Sequence, residues 1–348
     1  MKRKTVIILA AVVACILIAT IIIVATTQSK NKKILAEISN QNPLFPTVDF
    51  IQSWYACDLT AEEWDYYFDV LKSLGFDTVI LQWIFSDDGG ANIAYYESET
   101  YPCDEYYSNT LELMLTSADN HDLDVYVGTY SPADWWSTNY NDNYIQRIVD
   151  IHNTLFEEVY TKYHNHKSFV GWYYSPEMFS TFLGYEKQWI KLLNGVIDGI
   201  EQYGNNLPLI FSPYRGKYTS PFLELDNTFA RICKQVKFRQ GDILAPQDGF
   251  GAKSPKEQRN AVELYKFAKY CYDATKGTNL TLWINCELFS AKGQFCSSER
   301  MLQQFRLANA FCNKTLCFSF AHYAFKAEDK TLFNDYKNLY NDYRLPTE

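Results

Sequence analysis

Two glutamates stand at the ends of runs that otherwise read as buried strands: Glu177 in FVGWYYSPEMF (169–179) and Glu287 in LWINCELF (282–289). A carboxylate in such a place is costly unless it is paired or used, because burial disfavours its charged form. Glycoside hydrolysis uses two such groups. One carboxylic acid protonates the leaving oxygen, and a second, ionised carboxylate attacks or activates water. The expectation is Glu177 as acid/base and Glu287 as nucleophile.

These residues need a scaffold that sets them face to face. Apolar, β-branched or aromatic runs recur at 48–54, 77–84, 123–130, 168–175, 207–214, 242–247, 280–288 and 315–323. Segments of helical period follow them, clearest at 60–75, 144–163, 186–203, 257–275 and 299–312 and less regular after the second and fifth runs. Thr60 and Glu63 form a capping-box pair, and Gly75 supplies a helix stop. Strand–helix alternation implies a parallel sheet, and eight such units imply a single α/β domain, a (β/α)8 barrel. A doubly wound nucleotide-binding sheet would carry a Gly-rich turn after its first strand, whereas this turn reads QSWYACDLT. Glu177 and Glu287 lie 110 residues apart. At about 37 residues per unit that is three units, so they occupy the fourth and seventh strands and face one another across the barrel mouth.

The C-terminal strand ends of such a barrel carry the active site. Gln52 and Trp54 end the first run, Gln82 and Trp83 the second, and Tyr130 the third, with Trp135 and Trp136 following. Tyr174 accompanies Glu177, Tyr214 and Arg215 end the fifth run, and Gln247 and Asp248 the sixth. Asn285 accompanies Glu287, and His322 and Tyr323 end the eighth. The Trp and Tyr rings are expected to stack on sugar faces. Gln247, Asp248, Asn285 and Arg215 are expected to bind hydroxyls. Trp135–Trp136 stands out, since adjacent rings do not easily face one core. No G-x-S-x-G elbow, H-E-x-x-H pair or phosphate-binding loop occurs, and the expected chemistry needs no metal or organic cofactor.

Composition agrees. Of 348 residues 47% are hydrophobic and 17% aromatic, which suits one large core and a ring-lined site. A net charge of -9 argues against a nucleic-acid partner, which needs a basic footprint. Lys2, Arg3 and Lys4 precede an apolar run from Thr5 to Ala25, long enough to span a bilayer. Residues 1–27 therefore read as an uncleaved membrane anchor with the barrel outside, 28–46 as a linker, and 47–348 as the barrel. A cleaved signal, or a lipoprotein attached through Cys15, are the alternatives. Eight cysteines lie beyond the anchor, an even number that permits disulfides without specifying a pairing. The expected partners are a carbohydrate and, through the N-terminal segment, the membrane.

The ordered set FIQSW, VILQW, GWYYSPEMF, FSPY, APQDGFG and LWINCELF, spanning about 48–325, resembles the bacterial family filed as domain of unknown function 4434. That resemblance implies a glycoside-hydrolase-like barrel with no stated substrate. The placing of Glu177 and Glu287 is similar to clan A glycoside hydrolases, implying acid/base and nucleophile roles and retention of anomeric configuration. An Asn usually precedes the acid/base residue there; here Pro176 does. A non-catalytic carbohydrate-binding barrel is the alternative that this departure keeps open.

Overall fold

The computed structural model describes residues 2–87, 92–103, 105–178, 185–214, 225–251, 260–290, 296–326 and 330–344. Barrel strands, labelled in chain order, are β1 (Val48–Ile51), β2 (Thr78–Leu81), β3 (Asp124–Gly128), β4 (Phe169–Tyr174), β5 (Leu209–Phe211) and β6 (Ile243–Leu244). They are followed by β7, in two segments Thr281–Leu282 and Ile284–Glu287, and by β8 (Thr315–Phe318). All pairings in this sheet are parallel, in the order β7–β6–β5–β4–β3–β2–β1–β8–β7. β7 occurs at both ends because its first segment pairs with β6 and its second with β8. The sheet thus closes on itself, and a bridge between Gln247 and Asn285 continues the β6–β7 contact towards the mouth. The expected eight-stranded α/β barrel is the fold.

The period of two along each strand sorts side chains between two cores. Val48, Phe50, Ile80, Tyr126, Tyr173, Ile210, Ile243, Ala245, Trp283 and Leu316 fill the barrel interior. Their strand neighbours, such as Ile51, Val79, Leu81, Val125, Val127 and Trp172, face the surrounding helices in the larger outer core. Those helices follow the sequence closely, including Ala61–Ser73, Asp142–Tyr163, Glu186–Tyr203, Ala261–Thr275 and Ser298–Asn309. Thr60 and Glu63 close both arms of the capping box, and Gly75 takes φ +80° just past that helix, a conformation that a side chain disfavours.

The irregular segment after β2 has its own structure. Phe85–Ser86 pairs with Ile93–Ala94 and with Tyr130–Ser131, a three-stranded flap beside the mouth. Glu158 anchors the turn beyond it, accepting from Tyr96 Oη at 2.5 Å, Ser98 Oγ at 2.7 Å and the Thr100 backbone N–H at 2.9 Å. After β5 the helix is Leu225–Gln235.

The N-terminal helix runs unbroken over Lys2–Ser39, and its stretch Val13–Ser39 is long and apolar enough to cross a membrane. Residues 28–46, expected to be a linker, are thus helical as far as Ser39. The reason is visible in the packing: Ile38 is buried against the barrel's outer core, Ile34 packs beside it, and Tyr265 Oη donates to Glu37 Oε1 at 2.7 Å. No disulfide joins any of the nine cysteines, all of which lie among the described residues.

Candidate active site

Strand alternation decides which mouth residues face the lumen. β7 presents Trp283, Asn285 and Glu287 inwards, and β4 presents Tyr173. Beyond the strand ends, Glu177, Gln247, Gln52 and Gln82 turn into the same space. A cavity of about 150 Å³ is lined by Phe50, Gln52, Gln82, Tyr173, Glu177, Gln247, Asn285, Glu287, Phe289 and Phe318. The two glutamates expected to pair thus share one cavity.

Each carboxyl is held differently. Glu177 Oε1 accepts from Gln247 Nε2 at 3.0 Å, and the same amide nitrogen donates to the Ser212 carbonyl at 3.3 Å. Burial raises the Glu177 pKa, with the Gln247 hydrogen bond opposing. Its backbone carbonyl accepts from Trp135 Nε1 at 2.7 Å. Glu287 Oε2 accepts from the Gly251 N–H at 2.6 Å. A Cβ on Gly251 would meet the Phe289 ring and carbonyl at 2.8 Å, so the close approach that brings this donor to Glu287 needs a glycine.

Behind Glu287 lies a buried polar cluster. Asp248 Oδ1 accepts from Phe250 N–H at 3.0 Å and from Glu287 N–H at 3.4 Å, and Asp248 Oδ2 accepts from Gln304 Nε2 at 2.5 Å. Gln304 Nε2 also donates to the Glu287 carbonyl at 3.1 Å. Arg300 donates to the Glu287 carbonyl and, at 2.6 Å, to that of Phe289. Burial first, then the Asp248 carboxylate, push Glu287 up to about 8, while the Gly251 N–H and the Arg300 guanidinium pull it down. Burial raises the Asp248 pKa as well, against the Phe250 N–H and the Gln304 amide, so the two carboxyls of this cluster oppose each other's ionisation.

The cavity opens into a trough of about 230 Å³ that shares Gln82 and Glu177 with it and adds Trp83, Ser131, Pro132, Trp135, Trp136, Ser175 and Pro176. The trough continues into an outer groove of about 580 Å³, sharing Trp83, Ser131, Pro132 and Trp136 and adding Trp54, Ser86, Ile93, Tyr95 and Ala133. The flap strands therefore wall one end of a continuous cleft.

Of the residues expected at the site, Glu177, Glu287, Gln82, Gln247 and Asn285 line the inner cavity, and Trp54, Trp83 and Trp136 line the groove. Others are placed elsewhere. Tyr174 points outwards by strand alternation and stacks on His152, while Tyr173 takes the lumen position that had been expected of it. Tyr130 is buried, its hydroxyl donating to Asp87 at 2.6 Å. Trp135 and Trp136 both line the trough, but Trp135 is 2% exposed and props the Glu177 backbone, whereas Trp136 is 58% exposed. Asp248 faces Gln304 rather than the cavity. His322 accepts from the Gln52 N–H through Nε2 at 3.1 Å and stacks on Phe318; burial, then Lys326, lower it to about 4, so its ring is neutral. Tyr323 stacks on Phe289 behind the cavity wall, and Tyr214 meets Met178 through its backbone N–H. Arg215 lies outside the described residues.

Sequence reasoning passed over Phe289, Phe318, Arg300, Gln304 and Gly251. Arg300 and Gln304 lie four apart on one helix, a spacing that puts both on one face, but nothing local says that this face meets a strand end. Among the described residues no cluster of His, Cys, Asp and Glu is arranged to hold a metal.

Similar barrels are found among solved structures. A putative α-L-fucosidase from Bacteroides thetaiotaomicron superimposes with TM-score 0.68 at 20% identity, covering 88% of this chain and 97% of that one. The PgaB glycoside hydrolase domain from Bordetella bronchiseptica gives 0.52 at 13% identity, covering 88% and 100%. An exo-β-1,4-mannosidase from an Opitutaceae bacterium gives 0.51 at 12% identity, covering 86% and 56%. At these identities the likeness is one of fold, the (β/α)8 barrel. No curated protein matches the sequence. The model of a domain of unknown function, DUF4434, matches residues 49–330, which is most of the chain, and the protein belongs to that family.

Proposed function

We propose that this protein is an extracytoplasmic, membrane-anchored glycoside hydrolase acting with retention on an oligo- or polysaccharide. The observation that carries the reading is the pair of glutamates, half-buried Glu177 just beyond β4 and buried Glu287 on β7, in one small cavity at the barrel mouth. In the first step the Glu177 carboxylic acid gives its proton to the glycosidic oxygen as the C1–O bond breaks, and the Glu287 carboxylate forms a bond to C1. Water then adds to C1, gives its proton to the Glu177 carboxylate, and Glu287 leaves. Gln247 orients Glu177, Gly251 orients Glu287, and Gln82 and Asn285 offer amide groups to sugar hydroxyls. The Oε1 of Gln82 and the Oδ1 of Asn285 are buried acceptors with no donor, which suits a ligand that brings hydroxyls.

The test is turnover of a panel of glycosyl fluorides by the wild type and by E177Q and E287Q. Losses of roughly 10²–10⁴-fold in both variants, with the fold intact, are expected. Wild-type activity in E287Q would exclude Glu287 as nucleophile.

One observation favours a second reading, a barrel that holds a glycan without cutting it. Burial and the Asp248 carboxylate raise the Glu287 pKa to about 8, which favours its protonated form, a hydrogen-bond donor to a sugar and not a nucleophile. Tight glycan binding with no product on long incubation would select that reading.

A further inference from the structure

The two glutamates are not equivalent in where they face. Glu287 lines the inner cavity, whereas Glu177 lines both that cavity and the trough leading to the tryptophans. A group that protonates a leaving oxygen must sit between the sugar being transferred and the sugar that departs. A group that attacks C1 must sit under the transferred sugar alone. We infer that the transferred glycosyl unit occupies the inner cavity and that the departing, reducing-end side of the chain runs outwards through the trough over Trp83, Trp136 and Trp54. This rests on the glycosidase reading and adds the direction of the substrate and the side on which specificity is built.

The groove is suited to that task. Trp54 and Trp136 are 52% and 58% exposed, although large aromatics among the described residues are otherwise mostly buried. Both face the one groove with Trp83. Flat amphipathic rings at the open end of a site grip sugar faces at little cost in side-chain entropy. Ser53 Oγ donates to the Trp83 carbonyl, and Trp54 Nε1 donates to Gln52 Oε1 at 3.0 Å, so two of the three are tied to the end of β1.

The experiment compares wild type, W136A and W54A on two probes. The first is the panel of α- and β-glycosyl fluorides of glucose, mannose, galactose and fucose, in which nothing but fluoride departs. The second is a set of neutral oligosaccharides of two to six units, tagged at the reducing end, containing the accepted glycone. The expected result is that kcat/KM of both variants falls about tenfold on the oligosaccharides and stays within about twofold on the fluoride. Equal losses on both probes would place the rings under the transferred sugar or in folding, and overturn it; so would no loss on either. If the wild type turns over no fluoride, the glycosidase reading itself falls, and this inference with it.

Discussion

Asp248 and Glu287 meet through the backbone: Asp248 Oδ1 accepts from the Glu287 N–H at 3.4 Å, while the Asp248 carboxylate raises the Glu287 pKa. The residue that anchors Glu287 in place thus also works against its ionisation.

D248N removes that charge and keeps the side chain's shape. The Glu287 pKa, about 8 in the wild type, should fall, since a like charge has gone. As Glu287 acts ionised, the acid limb of kcat/KM should move to lower pH, by about one unit or more. A pH–rate profile on an activated glycoside checks this. An unmoved limb would mean that another group controls ionisation.

Gln247 gives Glu177 its hydrogen bond, at 3.0 Å. Q247A should lower kcat by about tenfold, the size of one lost orienting hydrogen bond of about 1.4 kcal/mol. Because that bond opposes the effect of burial, its loss should also raise the Glu177 pKa and carry the basic limb upwards. Steady-state kinetics across pH reads both effects.

Neighbouring tryptophans should behave differently. W135F removes the N–H that holds the Glu177 carbonyl and should lower kcat, and W135A should cost roughly 3–5 kcal/mol of stability as a large buried side chain. W136A should leave urea unfolding within about 0.5 kcal/mol of wild type, since its ring is mostly exposed.

Asp49 tests the scaffold beneath the site. It is fully buried on β1 and accepts from Tyr67 Oη and from the N–H groups of Phe320 and Ala321 at 2.7–2.8 Å, fixing the turn that carries His322. Burial raises its pKa from 3.8 to about 6. Its folded value lies above its unfolded one, so the stability it contributes is full below 3.8 and is lost as pH rises through about 6. D49N should abolish that part of the slope in urea unfolding between pH 4 and 7, and should cost roughly 2–3 kcal/mol because its NH₂ faces backbone donors.

Much of this was legible in the sequence because strand and helix periods are local. The eight runs, the Thr60 capping box and the β4–β7 placing of the glutamates follow from spacing. Tyr174 was misplaced because a strand end with two tyrosines does not say which points inwards; the barrel's closure does. Trp135 and Trp136 both line the trough, but adjacency in sequence does not say that the first would be almost wholly buried and the second exposed. The helical 28–39 segment looked like a linker because its polar composition hides Ile34 and Ile38, whose partners are distant in the chain. Arg300 and Gln304 were invisible for the same reason.

The most direct measurement of the central claim is azide rescue of E177A and E287A on an accepted glycosyl fluoride, with the product's anomeric configuration read by NMR. E177A should give glycosyl azide with retained configuration and E287A should give it with inverted configuration, because azide takes the place of water in the first and of the nucleophile in the second. Free sugar at wild-type rates from E287A, with no azide product, would contradict it.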